Sequence, residues 1–150
     1  MTQKVLGGKD FDIFIGNSMV HVMEATVKIT DGRTVKKVRG IPKGFIDGPV
    51  EGEVTLKLDH ENWLIVQAQA EQAGSWKGIE PFDVAFNAEV AAGKKNVEAF
   101  GCLPQLEELL NIKADGGEED TTSIKCPITS PDFVKINGVP YLTADEVRDL

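Results

Sequence analysis

Residues 50–58 read Val50-Glu51-Gly52-Glu53-Val54-Thr55-Leu56-Lys57-Leu58, and this alternation restricts the fold more than any other stretch of the chain. A two-residue period puts Val50, Val54, Leu56 and Leu58 on one face of an extended segment and Glu51, Glu53, Thr55 and Lys57 on the other, so one side is core and the other wet. Residues 19–29 form a second such arm. There Met19, Met23, Ala25, Val27 and Ile29 share one face, while Val20, Val22, Glu24, Thr26 and Lys28 share the other. Two long strands with one dry face each need a covering layer.

The arms are joined by residues 30–49, a connection too long for a compact domain unless it has a task or lacks structure. Asp31-Gly32 can turn. The chain then runs through Arg33, Val35, Val38 and Arg39 as an extended, mostly polar segment, and reaches Gly40-Ile41-Pro42-Lys43-Gly44-Phe45-Ile46-Asp47-Gly48-Pro49. The apolar Val35, Val38, Ile41, Phe45 and Ile46 argue against disorder and have no place in the parent core. They are expected to touch a partner.

Elsewhere the period changes once. Asp59 is a good N-cap, Glu61 favours the positive end of a helix, and Trp63, Val66, Ala70 and Ala73 recur at helical spacing before Gly74, which predicts one amphipathic helix over residues 59–73. Trp76 is expected to bury its ring beside the end of that helix. A strand over residues 11–15 ends at the turn pair Gly16-Asn17. Further strands are expected over residues 82–90, from Val97 through a kink near Gly101, over residues 106–112, and through Thr122, Ile124, Cys126 and Ile128. Turns are placed at residues 91–96 and in the acidic stretch at residues 114–119. Asn137-Gly138 should turn a hairpin, and Thr143-Ala144-Asp145-Glu146 is a capping-box pattern opening a short C-terminal helix. Seven or eight strands and one substantial helix predict a mainly β chain, a β-sandwich or barrel with one packed α-helix. Residues 1–150 are expected to form a single domain with a long loop protruding at about residues 30–49.

The net charge is −8, from 16 basic and 24 acidic residues, which disfavours general affinity for nucleic acid. The charge is uneven: residues 28–43 hold six basic side chains and one acid, and residues 107–120 hold six acids and one lysine. Such segments can be two solvated faces, or they can meet head to tail between copies. The amino terminus has no apolar signal core and no run suits a membrane helix, so a cytosol-like compartment and no membrane partner are expected. His21, His60, Cys102 and Cys126 lack zinc-ligand spacing, and His21 is expected as a hydrogen-bonded core or interface residue. No serine has a nucleophile-elbow context and the glycines make no phosphate cradle. Neither catalysis nor a cofactor is expected.

The run Arg39-Gly40-Ile41-Pro42-Lys43-Gly44-Phe45-Ile46-Asp47-Gly48, the corner Ala73-Gly74-Ser75-Trp76-Lys77-Gly78, the stretch Glu98-Ala99-Phe100-Gly101-Cys102 and the ending Ser130-Pro131-Asp132-Phe133-Val134-Lys135-Ile136-Asn137-Gly138-Val139-Pro140-Tyr141-Leu142 resemble small bacteriophage tail proteins, similar to the tail tube proteins of contractile-tailed phages. The resemblance implies a tail-tube-like β-sandwich whose sheets join into a homohexameric ring, rings that stack into a hollow tube for DNA, and a long loop reaching a neighbouring subunit. It implies tail sheath, baseplate and terminator proteins as partners, synthesis in the host cytoplasm and residence in the virion tail. On that reading Arg33, Val35, Val38, Arg39, Ile41, Pro42, Phe45 and Ile46 are subunit-interface residues, and Glu51 and Glu53 are candidates for an acidic lumen. A tail terminator or baseplate ring, a type VI secretion tube-like protein and a monomeric ligand-binding β-sandwich stay open beside it.

Overall fold

The computed structural model describes residues 12–15, 18–90, 93–110, 116 and 120–148. Its elements are β1 (Asp12–Ile15), β2 (Ser18–Met19), β3 (Glu24–Asp31), β4 (Thr34–Val38), β5 (Ile41–Ile46), β6 (Val50–Leu58), α1 (His60–Ala73), β7 (Phe82–Val90), β8 (Gly93–Cys102), β9 (Gln105–Glu108), β10 (Thr122–Pro127), β11 (Val134–Ile136) and β12 (Val139–Pro140). One sheet runs β12-β11-β8-β7-β1-β2, a second runs β3-β6-β10-β9, and β4-β5 stand apart as a two-stranded ribbon. All pairings are antiparallel.

The alternation of β6 sets the core. Val54, Leu56 and Leu58 have no exposed surface, and they lie opposite Cys126, Ile124 and Thr122 of β10, which are buried as well. The other sheet answers with Ile13, Ile15, Val84, Phe86 and Ala99, so the two dry faces enclose one hydrophobic layer, as a sandwich requires. Helix α1 begins where its sequence signals place it: the Asp59 carboxylate accepts from the Asn62 backbone N–H at 2.9 Å, and Gly74 ends the helix with a left-handed φ of 83°. The bond from Asn62 holds the Asp59 carboxyl below its ordinary range. Val66 and Ala70 are buried in the core, Ala73 and Leu64 stay exposed, and Trp76 stacks on Trp63 at 5.4 Å between ring centroids.

Several expectations change. The arm at residues 19–29 is not one strand: Met19 pairs with Phe14 in the first sheet, and only from Glu24 does the chain join the second. Ala25, Val27 and Ile29 are half-buried as their period demands, but Val20 is buried while Met19 and Met23 are exposed, because the side-chain phase resets where the chain crosses between sheets. His21 lies in that crossing, exposed, and its backbone N–H donates to Asn62 Oδ1 at 3.1 Å, so it is no core residue. Among the described residues there are twelve strands rather than seven or eight, since the arm at residues 19–29 divides into β2 and β3 and the connection supplies β4 and β5. Lys94, Lys95 and Asn96, expected in a turn, extend β8 as partners of β7.

The capping box at Thr143 and Glu146 forms reciprocally, yet residues 144–148 make only turns; a cap without an apolar face to bury does not propagate a helix. The hairpin at Asn137-Gly138 forms as read, while of the strand expected over residues 106–112 β9 takes only the first part and ends at Glu108. The turn pair Gly16-Asn17, residues 91–92 and 111–115, most of the acidic stretch, and Leu150 lie outside the described residues.

Candidate assembly surface

The connection at residues 30–49 is neither a loop nor a single extended run. Arg39 and Gly40, both with positive φ (54° and 79°), make a tight turn that folds β4 back on β5. Pairing starts with Thr34 opposite Ile46 and Val35 opposite Phe45, then shifts so that Lys37 faces Pro42 and Val38 faces Ile41. One residue of β4, Lys36, is thus matched by two of β5, Lys43 and Gly44, a bulge, and Gly44 takes φ 81° within it where no side chain would be unstrained.

The bulge decides which way the side chains point. Uninterrupted alternation would put Ile41 and Phe45 together. With the extra residue they part: Val35, Phe45, Lys37 and Pro42 occupy one face, and Thr34, Ile46, Val38 and Ile41 the other. Every residue of the ribbon is exposed, Ile41 by 67% and Phe45 by 66%. All eight residues read from the sequence as interface candidates, Arg33, Val35, Val38, Arg39, Ile41, Pro42, Phe45 and Ile46, therefore sit on or at the root of one projecting element.

A narrow neck joins that element to the sandwich. The Gly32 N–H donates to the Pro49 carbonyl at 2.9 Å, and the two connections run so close that a Cβ on Gly48 would meet the Gly32 oxygen at 2.1 Å. Asp31 closes the neck: Arg33 donates from its backbone at 3.0 Å and from Nη2 at 2.6 Å, and the Tyr141 hydroxyl donates at 2.9 Å. The Arg33 side chain, then its backbone and then Tyr141 hold the Asp31 carboxyl well below the carboxylate range, while the bond to Asp31 raises both Arg33 and Tyr141. Sequence reading passes over this cluster, because Asp31-Gly32 resembles a plain turn and Tyr141 lies far along the chain.

Glu51 and Glu53 do point outward from β6, but in mixed company. Lys28 stands opposite Glu53 and Lys57 opposite Glu24, and Lys125 pairs with Glu53 at 3.4 Å. The second sheet also ends on open edges among the described residues, at β3 and at β9. Past the end of β9, Leu109 and Leu110 are exposed next to Glu107 and Glu108, in the acidic segment that the sequence offered for head-to-tail contact between copies, whereas Leu106 pairs with buried Ile124. Cys102 and Cys126 are buried free thiols in different sheets, and burial pushes both to about 12. No group of three His, Cys, Asp or Glu among the described residues is arranged to hold a metal ion.

Comparison with known proteins bears on this surface. The family model described as "Bacteriophage HP1, Orf24" matches residues 9–142. A protein assigned to the tail tube of Haemophilus phage HP1 (strain HP1c1) is 37% identical over 145 residues, 97% of each chain. Among solved structures, the tube-terminating cap of the anti-feeding prophage superposes with a TM-score of 0.67 at 15% identity, over 91% of this chain and 93% of that one. A chain of the sheath-tube complex of an extracellular contractile injection system gives 0.60 at 12% identity, over 84% and 86%. The sandwich with its packed helix is thus the fold of tail-tube-like proteins.

Proposed function

This chain belongs to the bacteriophage HP1 Orf24 family, a family of phage tail tube proteins, and from that membership we propose that it is the structural subunit of an inner tail tube. Residues 1–150 act as one tail-tube-like domain. Copies join into a homohexameric ring, rings stack, and the bore is a conduit for DNA. The protein is made in the host cytoplasm, resides in the virion tail, and meets sheath, baseplate and terminator proteins there. It performs no reaction; the work is done by repeated contacts.

The observation that carries this reading is the β4-β5 ribbon. A two-stranded hairpin by itself is marginal in water, and this one exposes five large apolar residues on a narrow neck. Such an element gains its burial from another molecule. Open edges at β3 and β9 support sheet joining between subunits, since each can take a further strand. Glu51 and Glu53 line the bore in this arrangement, and with Lys28, Lys57 and Lys125 on the same face the wall is charge-mixed rather than purely acidic.

The test is negative-stain electron microscopy with light scattering on one purified sample. Rings or tubes are expected. A protein that stays monomeric at high concentration, and still fails to extend when sheath and baseplate partners are added, overturns the proposal.

A further inference from the structure

We propose that residues 130–141 form a clamp that aims the β4-β5 ribbon, with Phe133 and Tyr141 as positioning residues: the Phe133 ring grips β6 at Gly52, and the Tyr141 hydroxyl grips β3 at Asp31. The ribbon then stands at one angle to the sandwich in the isolated chain. This goes beyond the self-assembly reading above and does not depend on copies associating.

A ribbon joined to its sandwich by two strands can swing about the joint unless something outside those strands fixes them. Asp31 ends β3, and Gly52 stands in β6 opposite Ile29, so both lie in the last rows of the sheet before the ribbon leaves it. Both are gripped from one place. Tyr141 Oη donates to Asp31 Oδ2 at 2.9 Å, and the Tyr141 ring lies 5.7 Å from the Phe133 ring between centroids. The Phe133 ring in turn takes the space that a side chain at position 52 would need. A Cβ on Gly52 would come within 2.9 Å of that ring and 2.5 Å of Ile128 Cδ1. Gly52 is itself buried, so the grip on β6 is a core contact.

The backbone of Phe133 shows what this grip requires. Its φ is 57°, in the left-handed region, which a phenylalanine keeps only where its surroundings hold it there. Here the Phe133 N–H donates to the Ser130 carbonyl at 3.1 Å, its own carbonyl accepts from the Phe100 N–H at 3.0 Å, and the residue is buried. Filling a core needs no such conformation. Phe133 directly precedes β11 of the first sheet, and the strained backbone delivers its ring to β6 of the second. The Tyr141 N–H donates to the Val134 carbonyl at 2.9 Å, which ties both grips to β11, and β11 pairs with β8. The direction of the ribbon is thereby fixed to the first sheet as well as to the second. An arm aimed in advance spends less ordering entropy in any contact it makes.

Distance measurements between two spin labels test the clamp. Lys43→Cys on the ribbon and Gln105→Cys on β9 carry the labels; both sites are exposed, whereas the native Cys102 and Cys126 are buried thiols that resist labelling in the folded chain. The protein is kept dilute enough to stay monomeric. A single narrow distance population is expected with Phe133, Tyr141 and Gly52 in place. Tyr141→Phe, which removes only a hydroxyl, and Gly52→Ala, which pushes on the Phe133 ring, should each lose that population to a broader or shifted one. The melting temperature should not move with Tyr141→Phe.

A broad distribution before either substitution overturns the clamp, and so does an unchanged one in both variants. Broadening that comes with lost amide protection throughout β6 also overturns it, because the sandwich itself has then loosened. If Gly52→Ala does not fold, Tyr141→Phe decides alone. A chain that shows no rings or tubes under the microscope removes the tube reading and leaves the clamp standing, so the two fail separately.

Discussion

Strand β6 and the β4-β5 ribbon are built from the same material, β-branched and apolar residues spaced for extended chain, and they meet opposite fates. In β6 Val54, Leu56 and Leu58 have no exposed surface, because β10 and the facing sheet close over them. In the ribbon Ile41 and Phe45 keep about two thirds of theirs. A strand pattern states that burial is needed. It does not state whether the same chain supplies it.

The sharpest way to break that contrast is to delete a side chain from each region. Leu56→Ala should cost roughly 2–5 kcal/mol of folding stability, through lost burial and a cavity between the sheets, and chemical denaturation reads it directly. A loss under about 1 kcal/mol would mean the layer around β6 is less complete than it looks. Ile41→Ala with Phe45→Ala should reverse the balance. Each side chain is worth roughly 1.5–3 kcal/mol once fully buried, so the assembly threshold rises by about tenfold or more, yet the monomer unfolds as before. A double mutant that polymerises normally would remove the ribbon from the interface.

Smaller effects refine the comparison. The ribbon is basic and the β9 surface acidic, so raising salt from about 0.1 M to about 1 M, which shortens screening from about 10 Å to about 3 Å, should slow assembly without lowering the melting temperature. Tubes that form at the same rate across that range would leave the apolar contacts as the whole attraction. Last is the neck. Because the Asp31 pKa is lowered in the folded chain, its contacts support the neck above the ordinary carboxyl range near ~4 and are lost as pH falls through the lowered value. Tyr141→Phe should raise amide exchange around Gly32 and Arg33 by a few-fold at neutral pH and leave β6 unchanged. Equal exchange in both regions would show that Tyr141 does not hold the ribbon's root.

The sequence by itself determined what depends on local period and local chemistry: the wet and dry faces of β6, the helix from the Asp59 cap to Gly74, the hairpin at Asn137-Gly138, and the set of residues that no core would claim. It also carried the family resemblance. Only the tertiary structure decided where the chain at residues 20–23 crosses from one sheet to the other, since Met19, Val20, Val22 and Met23 are all apolar and hide the change of phase. The same holds for the ribbon. A bulge depends on the register between two strands, so the parting of Ile41 from Phe45 could not be read from either strand alone. Asp31 and Tyr141 meet across 110 positions of sequence; proximity of that kind is a property of how two sheets stack, and no local signal records it.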